Sequence, residues 1–275
     1  MALDLLLPTV GLPLLVMALA AATSFRQRWS LTVGAFLAVL LSFALIETWW
    51  QKGLSQIVSL KALDGIWLLA ALALLALRRV SWGSGAIGWL VSLVLSIWLV
   101  RVFAHDIAVA SWLAHGLVFA LVWIGLGSLS KQETTSWVSV AFWLAPAAIW
   151  APTIGLAGSI KIAQLVGSIG VTGALVWLFW GWLTWQQRPE LDLASLASKL
   201  PIALALPLGW SALAAHHLVE VELWVLAPGL APWVIGLVLQ KRPMGAVGQW
   251  AILVPVSAAS LALSLWMAWP EQSLY

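Results

Sequence analysis

Long stretches of this chain carry no charge at all, and that constrains it more than any other feature. Residues 68–77 read "LLAALALLAL" and residues 91–100 read "VSLVLSIWLV", apolar on every side. Uncharged runs of about 18 or more apolar residues mark transmembrane helices, each needing roughly 20 residues to cross the hydrocarbon. Ten can be drawn, at about 4–25, 29–50, 63–79, 86–103, 107–129, 137–156, 160–185, 200–220, 224–240 and 246–269. A membrane barrel would instead alternate polar and apolar residues in segments of about ten. Water is a poor solvent for such a chain: with 63% hydrophobic and 8% charged residues, too little polar surface remains to cover a 275-residue globule. The expected fold is all-α, a polytopic integral membrane helical bundle with about ten transmembrane helices and short loops. Residues 1–275 form one transmembrane domain whose first partner is the lipid bilayer.

Charge at the span ends gives the orientation. If all ten runs cross, Arg26, Arg28, Arg78, Arg79, Lys131, Arg188, Lys199, Lys241 and Arg242 share one side, against Lys52, Lys61, Arg101 and Lys161 on the other. The side richer in Lys and Arg is cytoplasmic, so both termini are expected on the non-cytoplasmic side of a plasma (inner) membrane. The ninth run is the weakest, because Pro228 and Pro232 interrupt its start, and a re-entrant hairpin is the alternative. Removing that span would strand Lys241 and Arg242 outside. The first run, although it holds "ALAAA" at 18–22, has no basic stretch before it and begins beside Asp4; it reads as a retained span. The basic isoelectric point of about 9.6 reflects cytoplasmic-edge charge and gives no reason to expect nucleic acid. Cysteine is absent, which excludes disulfides and thiolate chemistry.

Tryptophan is unusually abundant, at 22 residues. Trp29, Trp49, Trp50, Trp82, Trp137, Trp182, Trp185, Trp224, Trp266 and Trp269 fall near span ends, where interfacial aromatic belts form. Trp98, Trp143, Trp177, Trp180 and Trp210 lie deeper. For these, core packing or lipid contact is the simpler reading, and a pocket for a flat apolar ligand such as a quinone or carotenoid is the alternative; no cofactor is specified. "LAPAAIWAPTIGLAG" suggests an interrupted sixth span, the device by which transporters expose backbone carbonyls at mid-membrane. Tolerated membrane prolines are the plainer explanation.

The rare polar groups gather toward the expected outer half. On the eighth span, Ala205, Gly209, Ala212, His216 and Glu220 follow steps of three and four and so share a stripe. Small residues permit close helix approach, which would carry His216 and Glu220 into the bundle and leave His217 on a bulkier face. His115 lies at a matching depth in the fifth span, with Asp106 at that span's mouth and Arg101 at the end of the fourth. On the seventh span Lys161, Gln164, Ser168 and Thr172 form a polar stripe, flanked by Ala163, Gly167, Gly170 and Ala174, which suit tight packing. Serines in such helices usually bond their own preceding turn, which leaves Gln164 as the member that needs a partner.

Ionisable groups within spans point to function by default. The candidate lining of an outward-facing vestibule is therefore His115, His216, Glu220, Gln164, Ser168, Asp106 and Arg101, with interhelical hydrogen bonding as the structural alternative. A metal held by His115, His216 and Glu220 is chemically feasible, although no full zinc signature is present. The expected function is a transporter or permease for a small solute; the alternative is a non-catalytic membrane-embedded subunit of a larger complex with other membrane proteins, and the second alternative a membrane enzyme acting on lipid or quinone through a histidine base. No catalytic residue is assigned, and the pattern favours a non-enzyme.

Overall fold

The computed structural model describes residues 6–24, 34, 37–38, 41–42, 44–46, 109–110, 137–185, 208–209, 211–239 and 244–269. All regular structure among these residues is helical, with no strand. A π-helical turn, Leu7–Gly11, leads into α1 (Leu12–Ser24). Then follow α2 (Trp137–Leu156), α3 (Ile160–Trp185), α4 (residues 211–219), α5 (Leu223–Leu226), a 3-10 segment (Ala227–Leu230), α6 (Ala231–Leu239) and α7 (Ala246–Ala268).

Among the described residues two helical stretches, Ile160–Phe179 and Ala246–Ala268, are long and apolar enough to cross a membrane; Leu7–Ala20, Val140–Leu156 and Leu223–Gly236 are shorter apolar helices. Helix α2 runs unbroken through Pro146 and Pro152, so the interruption suggested by its prolines is not there. An interior proline removes one i→i−4 bond and usually kinks a helix, but packing partners can compensate, and α2 has them on three sides.

The turn between α2 and α3 follows from two residues. Gly158 adopts φ 115, a left-handed conformation that a side chain disfavours. Around it Ser159 N–H bonds to the Ile154 carbonyl (3.1 Å) and Gly158 N–H to the Gly155 carbonyl (3.3 Å), the paired bonds of a Schellman stop. Ser159 then starts α3, its Oγ accepting from Ile162 N–H at 3.4 Å, as an N-cap does.

The two helices return antiparallel along a seam of small residues. A β-carbon on Gly155 would sit 3.3 Å from Ala163 Cβ, one on Gly167 3.8 Å from Ala151 Cβ, and one on Gly170 2.7 Å from Ala147 Cβ. The small flank of α3 is thus where α2 meets it, the arrangement that lets backbones approach closely. The same β-carbon on Gly167 would also lie 2.7 Å from Thr9 Cγ2 of the π-turn, which packs beside the seam. Gly34 in turn abuts Ala20 of α1, and Ala38, Ser42 and Ile46 continue its face with no exposure.

Helix α2 also packs against the 223–239 run and α7. Trp150 reaches Leu226 and Trp233 reaches Trp143, so 223–239 runs antiparallel to α2. Phe142, Leu239 and Leu253 share one core cluster, and α7 also packs against the 3-10 segment beside Trp150, so it runs parallel to α2. Residues 223–239 do not form a hairpin: α5, the 3-10 segment and α6 follow one another through right-handed junctions at Ala227 and Ala231. The prolines convert one turn to 3-10 geometry without reversing the chain.

Polar side chains are buried within a mainly apolar core: Ser42, Thr153, Gln164, Ser168, Thr172, Ser211, Gln249, Ser260 and Ser264 are buried, whereas Leu15, Leu19, Val234, Val247, Val254 and Trp266 are exposed. On helix α7 the buried face carries Gln249, Leu253, Ser260 and Ser264, and Val247, Val254, Leu263 and Trp266 are exposed.

Candidate functional site

The histidine pair sits at the end of α4. The helix stops at residue 219, and Glu220 takes φ 59, the left-handed region that non-glycine residues rarely occupy. Val221 N–H reaches back to the Ala215 carbonyl (3.2 Å), and His216 Nδ1 lies 2.9 Å from the Val221 carbonyl. A carbonyl only accepts, so Nδ1–H is the donor in this bond. The imidazole therefore fastens the chain as it leaves the helix. His216 and His217 rings stand 4.8 Å apart at 60°, and both residues are half-buried.

This geometry changes the expected site. Glu220 lies beyond the helix and is exposed, so it does not continue the stripe through His216, and His216 is joined to Val221. Within α4 the buried residues are Ser211, Leu213, Ala214 and Ala215, with Leu208 just before it, while Gly209 and Ala212 are half-buried. The packed face is offset by about one residue from the stripe of small side chains. A left-handed glutamate leaves no mark in sequence, since glycine or asparagine is the usual signal. His115, Asp106 and Arg101 lie outside the described residues.

The α3 stripe is buried as a unit: Gln164 at 6%, Ser168 at 0% and Thr172 at 1% exposure, with Lys161 half-buried at its start. Ser168 Oγ donates to the Leu165 carbonyl (2.9 Å) and Thr172 Oγ1 to the Ser168 carbonyl (2.8 Å). Thr153 on α2 does the same to Ile149 (2.7 Å). These hydroxyls are consumed by their own helices, and Gln164 is also engaged. Among the described residues no group of three or more metal-ligating side chains gathers.

Tryptophan divides into three uses. Trp182, Trp224, Trp266 and Trp269 are exposed near helix ends. Trp143, Trp150 and Trp233 form a core cluster: Trp150 Nε1 donates to the Leu226 carbonyl (2.8 Å), and Trp233 Nε1 to the Trp143 carbonyl (2.9 Å). Trp233 lies 5.9 Å from Trp143 and 6.3 Å from Trp150, centroid to centroid. Two helices thus exchange indole-to-carbonyl bonds in opposite directions, one of them onto the last residue before the 3-10 segment. Gly229 lets this happen, because a β-carbon there would fall within the Trp150 indole. Core packing is accordingly the role of Trp143. Trp150 and Trp233 were missed in the sequence because neither stands out from an apolar run.

Trp177 pairs with Trp250, centroids 6.0 Å apart, at the edge of a half-open groove between α2, α3 and α7. The groove holds about 570 Å³ and is almost wholly apolar. Comparison with protein-family models, curated proteins and solved structures finds no match to the chain. The functional reading therefore rests on the geometry.

Proposed function

We propose that the chain is a polytopic integral membrane bundle of about ten spans, with both termini on the non-cytoplasmic side, acting as a non-catalytic embedded subunit of a larger membrane assembly. Two described helical stretches long and apolar enough to cross a membrane, with valine, leucine and tryptophan exposed along them or their neighbours, support the membrane setting. One observation carries the subunit reading. Along α2 and α3 the buried hydroxyls of Thr153, Ser168 and Thr172 return to their own helices, and the Trp150 and Trp233 indoles cover carbonyls of neighbouring helices.

A transporter for a small solute draws on one feature, the buried Gln164–Ser168–Thr172 stripe, because an amide at that depth is costly and commonly functional. Its hydroxyl members have their donors occupied and Gln164 is engaged as well, so a solute would have to compete with bonds already made. The two readings separate in one experiment. The chain is extracted in a mild detergent and its companions identified by mass spectrometry, and the purified chain is reconstituted into liposomes for flux assays. Stable stoichiometric companions without flux support the subunit; flux by the chain alone that is lost in Gln164→Leu overturns it.

A further inference from the structure

The exposed tryptophans fall at two levels of the bundle. Trp177 on α3 lies against Trp250 on α7, centroids 6.0 Å apart, and this contact sets the register of two helices that run in opposite directions. At about 1.5 Å per residue, Lys161 and Trp266 both lie about 24 Å from the pair toward one end. Trp182 and Gly245 both lie about 7.5 Å from it toward the other end. The two levels are therefore about 32 Å apart, close to the roughly 30 Å of a bilayer's hydrocarbon core.

A second register agrees with the first. Leu239 and Leu253 share the Phe142 cluster, and from there Trp224 lies about 24 Å back along the antiparallel 223–239 run, its 3-10 segment rising about 2 Å per residue. Trp269 lies about 24 Å forward along α7. Trp224, Trp266 and Trp269, exposed by 55%, 75% and 68%, thus gather within about one helical turn of a common height. The exposed carboxylates of Glu220 and Glu222 come just before Trp224. Between the levels, every exposed residue of α3, of the 223–239 run and of α7 is apolar, Leu178, Val234, Val247 and Val254 among them. An indole joins an apolar ring to one N–H donor, and it settles where hydrocarbon and polar lipid oxygens are both within reach.

We propose that Trp224, Trp266 and Trp269 form a lipid anchor seated in the ester and headgroup zone of one leaflet, with Trp182 in the other, and that this layer sets the depth of the bundle. The inference rests on the membrane reading and goes beyond the subunit role, since it assigns this surface to lipid and not to a companion protein. The test uses the full chain in phosphatidylcholine liposomes, carrying a nitroxide on a single cysteine at Ala251, Val254, Ala259 or Ala262, all exposed on α7. Collision with oxygen is compared with collision with a water-soluble nickel chelate. These sites lie about 9, 14, 11 and 6 Å from the nearer level, so Val254 is expected to read deepest, Ala251 and Ala259 nearly alike, and Ala262 shallowest. Replacing the anchor by Trp224→Leu, Trp266→Leu and Trp269→Leu together lengthens the apolar run at that end, so Ala262 should become deeper than Ala251. The matching Trp→Tyr triple variant, which keeps an aromatic ring with a polar tip, should hold the wild-type order. A wild-type order in the leucine variant, or a wild-type depth maximum at Ala262, overturns the anchor. Collision with neither reagent at all four sites would mean that protein covers this face, and overturns it too. Free collision with the nickel chelate at all four sites would instead overturn the membrane reading itself.

Discussion

Gly229→Ala tests how the broken helix is held. A β-carbon at this position falls within the Trp150 indole, whose Cδ1 would be only 2.6 Å away. Trp150 is 3% exposed, so its ring has little room to retreat, and overpacking of this kind costs about 1–3 kcal/mol. Moving the ring also stretches its bond to the Leu226 carbonyl, now 2.8 Å; a buried acceptor left without its donor costs about 1–3 kcal/mol. Alanine restricts the unfolded chain and returns about 0.4–1 kcal/mol. The net expectation is a loss of about 3 kcal/mol, against about ±0.5 kcal/mol for an ordinary surface change. Unfolding of the purified chain in mixed micelles, titrated with a denaturing detergent and followed by circular dichroism, would measure it. Trp150→Phe removes the N–H and part of the ring, so Gly229→Ala should cost distinctly less on that background. Coupling of at least about 0.5 kcal/mol is expected for residues in contact. A Gly229→Ala protein as stable as wild type, or additive costs in the double variant, would refute the indole clamp.

Three further outcomes follow from the same geometry. Glu220→Gly relieves a left-handed non-glycine residue and should raise stability by about 1 kcal/mol in the same assay; a fall would mean that the glutamate side chain does more than cap the helix. His216→Ala, which loses the bond to the Val221 carbonyl, should lower stability by about 1 kcal/mol and loosen the α4 end, seen as faster amide exchange at Val221; unchanged exchange would discount the bond. Gly170→Leu should overpack Ala147 on the α2–α3 seam and cost about 1–3 kcal/mol, and an unchanged unfolding midpoint would argue against close approach there.

What the sequence made legible was the helices and their stops. The apolar runs drawn at about 137–156, 160–185 and 246–269 are helices of nearly those limits, because Gly158 with Ser159 on one side and Gly245 on the other punctuate an otherwise uniform pattern. Continuity was harder to read. Pro146 and Pro152 leave α2 intact while Pro228 and Pro232 accompany a 3-10 turn, and no residue-type signal separates the two pairs. The small flank of α3 was readable because close packing requires small side chains. The polar residues were readable as rare, but their partners were not: hydroxyls satisfied within one helix and hydroxyls shared between helices have the same spacing. His216 illustrates this, since its partner depends on Glu220 turning left-handed, for which no residue-type signal exists. The proposed vestibule also draws on His115, Asp106 and Arg101, outside the described residues.

The central claim is that these helices cross a bilayer in alternating directions, and α7 provides the most direct measurement. The chain has no cysteine, so single cysteines can be placed at Gly245, where added atoms meet nothing within 4 Å, and at Trp269, which is exposed beyond the other end of the helix. Intact cells or right-side-out vesicles would be treated with a membrane-impermeant maleimide, before and after permeabilisation. The account predicts labelling of Trp269→Cys in the intact membrane and of Gly245→Cys only after permeabilisation. Labelling of both sites from the same side would contradict it.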